Sequence, residues 1–288
     1  MSFLSHLFAR VLPRTLVLLG GTIIGTIALM QGAPGYYSDV RELDSQTGSS
    51  VRQALELERS KNRGELRSAV DWVHSALGGD LGESRQFEIP VSALLAERGV
   101  FSLRLLLMAL AGGWSAACTV AIFLTIVKRK GFHALCLIPA ACLLALPVGA
   151  LSMICFVTDT GGPILVMALL IGARELQFVQ RLLNNTLQEP HFLYLQAAGV
   201  RRSRILWAFA LPQLLSQSLA LLLRSFLMAI GLLIPVEVIF DLPGLGQLAW
   251  LAMMNRDMPV LLAVTMLFAG CLAVLGMMAD FRMEPERA

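Results

Sequence analysis

Three stretches of this 288-residue chain, Leu105–Val127, Ala134–Val157 and Met258–Ala279, each run for more than twenty residues without a charged side chain. The hydrocarbon layer of a bilayer is about 30 Å thick and a helix rises about 1.5 Å per residue, so a crossing needs about 20 apolar residues. A water-soluble domain has no use for three such segments. Three more runs complete the set. Val11–Met30 carries Arg14 near its first turn, Pro163–Leu183 holds Arg174, Glu175 and Arg181 in its second half, and Ile205–Leu233 contains Pro212 and Arg224. The sequence therefore predicts an all-α membrane protein with six transmembrane helices. The first run exceeds the roughly 7–15-residue core of a signal peptide, and Met30-Gln31-Gly32-Ala33 is a poor cleavage site, so it is expected to stay as a helix.

Charge placement orients the spans. Only 15% of the residues are charged, against about 25% in soluble domains. Residues 32–100 concentrate them, with 8 basic and 11 acidic side chains. Elsewhere Arg10, Arg14, Lys128, Arg129, Lys130, Arg181, Arg201, Arg202, Arg204, Arg282 and Arg287 fall on one side of the spans. The short loops of the other side, 158–162 and 234–257, hold Arg256 alone. Basic residues in short loops stay in the cytoplasm, whereas long loops translocate largely regardless of charge. Both termini are thus expected in the cytoplasm and the 32–100 segment outside. Three parts follow: residues 1–31 as the first transmembrane helix, 32–104 as an extracytoplasmic segment, and 105–288 as a five-helix core. Within the outer part, Val51, Leu55, Leu66, Val70, Val73 and Leu77 recur at mixed helical spacing over Ser50–Leu77, which predicts surface helices. Gly78-Gly79-Asp80-Leu81-Gly82 ends them.

The chemistry the chain lacks is as informative. No G-x-x-x-x-G-K-S/T loop is present, so it does not hold ATP in that manner. His6, His74, His133 and His191 are scattered, and Cys118, Cys136, Cys142, Cys155 and Cys271 all lie in apolar runs without metal-ligand spacing. No G-x-S-x-G elbow appears. The chain is not expected to be an enzyme, nor to bind a metal or cofactor of its own. Its net charge of +3 does not suggest nucleic acid. Arg201, Arg202 and Arg204, wedged between two spans, instead suit orientation in the membrane and contact with anionic lipid or a partner protein.

The cytoplasmic stretch Glu189-Pro190-His191-Phe192-Leu193-Tyr194-Leu195-Gln196-Ala197-Ala198-Gly199 reads as a short helix. Proline at its first position costs no hydrogen bond and Gly199 can end it in the left-handed conformation. Ser203 is placed to cap the span that follows. Phe192, Leu193, Tyr194 and Leu195 crowd a loop that water should reach, so part of this helix must meet another surface, either the lipid interface or a partner protein.

Gly199, nine further residues and then Phe209-Ala210-Leu211-Pro212 resemble the G-x9-I-x-L-P half of the signature loop in permease subunits of binding-protein-dependent ABC importers, and specifically the dipeptide/oligopeptide/nickel family. Pro235-Val236-Glu237-Val238-Ile239-Phe240-Asp241-Leu242-Pro243-Gly244-Leu245-Gly246 is similar to that family's V-E-x-x-F-x-x-P-G-L-G segment. Asn255-Arg256-Asp257-Met258-Pro259-Val260 is similar to A-R-D-Y-P-V, and Gly79-Asp80-Leu81-Gly82-Glu83-Ser84 to G-D-L-G-x-S. The E-A-A that precedes the glycine in the family is replaced by Leu193-Tyr194-Leu195.

The resemblance implies the type I importer permease fold, with a coupling helix at about 189–204. It also implies one half of a translocation path for di- or oligopeptides, with nickel complexes second, or for a related small solute. The implied partners are a second permease, two ATPase subunits that carry ATP and Mg, and an extracytoplasmic solute-binding protein. ATPase coupling would fall to Phe192, Leu195, Gln196, Ala197, Ala198, Gly199, Arg201, Leu211 and Pro212, through an apolar contact where the acidic anchor is missing, or with Glu189 or Gln196 in its place. The path or gate would involve Arg224, Glu237, Pro243, Gly244 and Gly246. Arg224 is either a pore-lining cation that meets a substrate carboxylate or a residue that snorkels or pairs with Glu237. Arg174 and Glu175 suit an interior pair. Pro212 is either a packing kink or a hinge. Pro243-Gly244-Leu245-Gly246 suits a turn before the sixth span. The rival readings are a secondary transporter, for which no inverted repeat is visible between 1–145 and 146–288, a membrane scaffold without an ATPase, and a permease whose coupling has decayed.

Overall fold

A computed structural model describes residues 17, 20–22, 24–26, 72, 74–76, 78–127, 130–255 and 257–283. The first expected span and the expected surface helices of Ser50–Leu77 fall largely outside these residues, as do both termini. Their described positions 17, 20–22, 24–26, 72 and 74–76 are helical. Among the described residues the regular structure is helical apart from an isolated antiparallel bridge between Glu83 and Pro90.

The elements are α1 (Val91–Val127), α2 (Lys130–Ala145), α3 (Val148–Thr158), α4 (Pro163–Leu187), α5 (Pro190–Ala197) and α6 (Arg202–Ile205). A π-helical turn at Leu206–Ala210 leads into α7 (Leu211–Ile239), followed by α8 (Leu245–Met254) and α9 (Met258–Met283). The chain divides into two compact units, residues 1–97 with 248–271 and residues 98–247 with 272–288.

Among the described residues four segments are long and apolar enough to cross a bilayer: Val91–Val127, Pro163–Leu187, Leu221–Ile239 and Met258–Met278. The second expected span is therefore present but begins earlier, at Val91 rather than Leu105. Its 37 residues make a rod of about 55 Å, longer than the hydrocarbon layer. The fifth expected span ends later, at Ile239, and contains Pro235.

The single span expected over Ala134–Val157 is broken. α2 and α3 pass the length and apolarity test only together and meet at 102°. Pro147 sits at the break with φ −59° and ψ 134°. A proline disfavours helical geometry in the residue before it and supplies no N–H to continue the ladder. Pro139, inside α2, interrupts nothing. The turn expected at 243–246 is confined to its first half: Pro243 and Gly244 bend, whereas Leu245 and Gly246 are the first residues of the ten-residue α8.

In the larger unit, α4 packs against α2 and α7, and α7 also packs against α3. The packed side of α4 follows from its sequence, since Val166, Met167, Leu170, Ile171, Leu176, Leu183 and Leu187 recur at helical spacing and are all buried. α1 and α4 meet closely at two glycines, Gly113 and Gly172. A Cβ on Gly113 would lie 2.9 Å from the Ala168 carbonyl oxygen and 3.1 Å from the Gly172 nitrogen, so only glycine allows this crossing.

Candidate functional sites

The last turn of α7 carries Glu237, which is 0% exposed. A buried carboxylate requires donors, and the surrounding chain supplies them. The Ser102 hydroxyl donates to Oε1 over 2.6 Å, and the Gly246 and Gln247 N–H groups donate to Oε2 over 2.6 and 3.4 Å. Ser102 Oγ in turn accepts the Leu245 N–H at 2.7 Å. The first N–H groups of a helix lack intrahelical partners and favour negative charge, so Glu237 caps α8 from the end of α7. Gly244 and Gly246 serve this contact. A Cβ on Gly244 would overlap the Glu237 carboxylate, and one on Gly246 would lie 2.7 Å from the Ile234 Cα. Gln247 extends the cluster, accepting from Arg98 Nη1 at 3.1 Å and donating to Asp241 Oδ1 at 2.5 Å. Sequence reading placed Glu237, Gly244 and Gly246 here together. It missed Ser102, whose isolated hydroxyl in an apolar helix gives no signal. Pro243 is exposed beside them.

A second cluster lies in the smaller unit. Ser84 Oγ donates to Asp257 Oδ2 over 2.5 Å, the Gln86 N–H reaches the same oxygen at 3.2 Å, and the Phe87 N–H donates to Ser84 Oγ at 3.0 Å. Two motifs recognised separately in sequence thus meet in space.

The α4–α7 connection forms a hook. Glu189 is extended, Pro190 opens α5, and Gly199 takes φ +79° after it, as the sequence predicts. Phe192 is not a surface residue. It is 1% exposed and belongs to a cluster with Leu183 and Leu187 of α4, Ala121 and Leu124 of α1, and Ile205 and Leu206. Leu195 packs against that cluster. The Gln196 amide donates to the Leu187 carbonyl at 3.4 Å, and His191 Nδ1 lies 3.6 Å from the Glu189 carboxylate. What remains outward is Tyr194, 74% exposed, with Ala197, Ala198, Gly199 and Arg201. Trp207, 58% exposed on the π turn, was not singled out in sequence. Pro212 is exposed, and the side chain of Leu211 lies outside the described set.

The π turn has a local cause. Pro212 has no N–H, so the carbonyl of Ala208 four residues back loses its α-helical donor, and the turn before the proline widens.

Arg224 does not pair with Glu237, whose oxygens are occupied. The two sit thirteen residues apart on one helix, about 20 Å along its axis, and Arg224 is exposed. Nor do Arg174 and Glu175 form a satisfied pair. The Arg174 guanidinium lies 5.7 Å from the Phe178 ring centroid, whereas Glu175 is 3% exposed and its Oε2 has no hydrogen-bond partner. Ser225 stands within hydrogen-bonding reach of Glu175 and accepts the Trp114 indole N–H at 3.1 Å. No group of three or more potential metal ligands occurs among the described residues.

Residues 89–283 match the family described as the binding-protein-dependent transport system inner membrane component. With more than half of its length matched, the chain belongs to that family. Among curated relatives, the metal-staphylopine import system permease protein CntB of Staphylococcus aureus is 32% identical over 118 residues, 41% of this chain. The chain spans only 38% of the length of that relative. The glutathione transport system permease protein GsiC of Pectobacterium atrosepticum is 26% identical over 273 residues, covering 88% of this chain and 87% of its own. A putative peptide permease of Brucella ovis is 25% identical over 241 residues, covering 73% and 74%. The family is one of transport components, and the resemblance read from the motifs holds.

Proposed function

We propose that this chain is the multi-pass permease subunit of an ATP-driven importer and forms half of a translocation path for peptides or a related small solute. In this reading it pairs with a second permease, two ATPase subunits and a solute-binding protein, and ATP and Mg are bound by the ATPases. Its six spans include the one at Val11–Met30, and both termini face the cytoplasm.

The observation that carries the reading is the divided character of α5. Phe192 keys the helix into the ends of α4 and α1, while Tyr194 stands bare on the opposite side. An exposed aromatic on a helix locked to its own bundle is a handle. A partner that pushes on Tyr194 and on the outward backbone of Ala197, Ala198 and Gly199 moves α4 and α1 through Phe192. It moves α7 through Ile205 and Leu206. Packed interfaces of this kind switch between discrete arrangements rather than deform continuously. No acidic anchor is required, because the contact surface is apolar and aromatic.

At the other end of α7, Glu237 with Gly244 and Gly246 holds the elbow before α8 and sets the gate. Pro243 contributes its exposed ring to the rim. Arg224, on the exposed side of α7, faces the path.

Cross-linking from a photoreactive residue at position 194, in cells expressing the neighbouring genes, tests the reading. Capture of a nucleotide-hydrolysing subunit supports it. Capture of lipid alone would overturn it in favour of a helix lying in the membrane interface.

A further inference from the structure

Three features of the larger unit bear on one another. Glu175 sits at the middle of α4, twelve residues from either end, and a carboxylate at that depth with an unpartnered oxygen is costly. Arg224 carries a charge within the apolar part of α7 and has no partner among the described residues. The helix that bears it begins in a π turn.

The residue that α7 turns toward Glu175 is Ser225, the immediate neighbour of Arg224. Ser225 does not satisfy the whole carboxylate. Its hydroxyl has one proton, for which the Leu221 carbonyl at 2.8 Å competes, and Oε2 of Glu175 stays without a partner.

We propose that Glu175 and Arg224 are positioning residues that form an ion pair in a second state of the transport cycle, reached when the wide turn at 206–210 passes along α7. A π turn spends one residue more than an α turn over a similar rise. Each residue the wide turn passes therefore advances by one helical position toward the C-terminus, which is about 100° around the axis. Arg224 then occupies the place Ser225 holds now, and its guanidinium meets the free Oε2 of Glu175.

The sequence provides both ends of the movement. Pro212 leaves the Ala208 carbonyl without a donor, and Pro235, inside α7, does the same to the Gly231 carbonyl. These are the two places where a wide turn costs least, and they bracket Arg224. Gly231 is exposed with nothing within 4 Å of a Cβ built on it, so the second turn has room. Glu237, pinned by Ser102 and Gly246, keeps the far end of α7 fixed. The shift withdraws one positive charge from the exposed side of α7 in one state and returns it in the other.

The proposal rests on the importer reading only for what drives the change. It is tested by disulfide trapping in the assembled complex, with the five native cysteines replaced by alanine. Glu175→Cys with Ser225→Cys should oxidise fastest without nucleotide. Glu175→Cys with Arg224→Cys should oxidise at least tenfold faster once ATP and vanadate trap the ATPases. Equal rates for the second pair in both conditions would overturn it.

A second arm does not depend on the cysteine background. Arg224→Gln should lower substrate-stimulated ATP hydrolysis at least tenfold, and the exchange Glu175→Arg with Arg224→Glu should restore at least a third of it. An Arg224→Gln complex with wild-type stimulation, or an exchange that rescues nothing, would also overturn the ion pair. A wild-type complex without ATP hydrolysis would instead refute the importer reading.

Discussion

The Ser84 hydroxyl donates to the Asp257 carboxylate across 173 residues of sequence, and the arrangement repeats that of Ser102 with Glu237. In each, a serine donates to a buried carboxylate and accepts a backbone N–H, while the carboxylate accepts backbone N–H as well, one at Asp257 and two at Glu237. The two differ in one respect. Asp257 Oδ1 is buried without a partner, so more rests on its single hydroxyl. Hydrogen bonds to charged groups contribute about 1.5–3 kcal/mol. Ser84→Ala should therefore destabilise the protein by about 2 kcal/mol. Asp257→Ala should add less than its own cost on top, because the pair is already broken. Thermal unfolding of both single variants and the double in detergent checks this, and additive losses would refute the coupling.

Gly246→Ala is expected to be costly for a reason unrelated to backbone conformation. Its new methyl would lie 2.7 Å from the Ile234 Cα and 3.0 Å from Glu237 Oε2, and overpacking of this kind costs about 1–3 kcal/mol. Gly244→Ala should cost at least as much, since its methyl would overlap the carboxylate itself. Glu237→Ala removes that obstruction. The loss from Gly244→Ala should therefore shrink in a Glu237→Ala background, as read from paired unfolding midpoints.

Phe192 and Tyr194 should separate stability from coupling. Phe192→Ala empties a fully buried site and should destabilise by about 3–5 kcal/mol. Tyr194→Ala, at 74% exposure, should leave the unfolding midpoint within about 0.5 kcal/mol of wild type while lowering stimulated ATP hydrolysis in the assembled complex. The opposite pattern would place the contact elsewhere.

The α5 turn was legible in sequence because Pro190 and Gly199 act locally: one fits a helix start, the other a left-handed end. Glu237 with Gly244 and Gly246 was legible as a group but not in its reason. Their spacing suggests a turn, whereas the fold uses the missing Cβ atoms to admit a carboxylate. The break between α2 and α3 was not legible, since Pro139 and Pro147 look alike in an apolar run. Their different effects depend on how neighbouring helices accommodate the freed carbonyls. Phe192 could not be assigned either. Helical spacing places it on α5 but does not say which side meets the ends of α4 and α1. Ser102 was missed, and the partner of Ser84 was not foreseen, because a lone hydroxyl acquires meaning only from a carboxylate far away in sequence.

Gly199 provides the sharpest test of the hook. Its φ of +79° lies in the left-handed region, where a residue with a Cβ costs about 1–2 kcal/mol. No atom lies within 4 Å of a Cβ built there, so Gly199→Ala should show that backbone cost alone. Gly199→Pro is different in kind. Proline is fixed near −65°, and the substitution also removes the N–H that donates to the Gln196 carbonyl at 3.1 Å. The Val200 N–H, which closes the turn on the Leu195 carbonyl at 3.1 Å, would then lose its geometry as well. The spans bury their own surfaces independently of this turn, so Gly199→Pro should still insert into the membrane. Stimulated ATP hydrolysis should fall to the unstimulated level in the proline variant and survive in the alanine variant. Membrane fractionation with ATPase assays on both variants checks the pair, and wild-type turnover in Gly199→Pro would show that force does not pass through this turn.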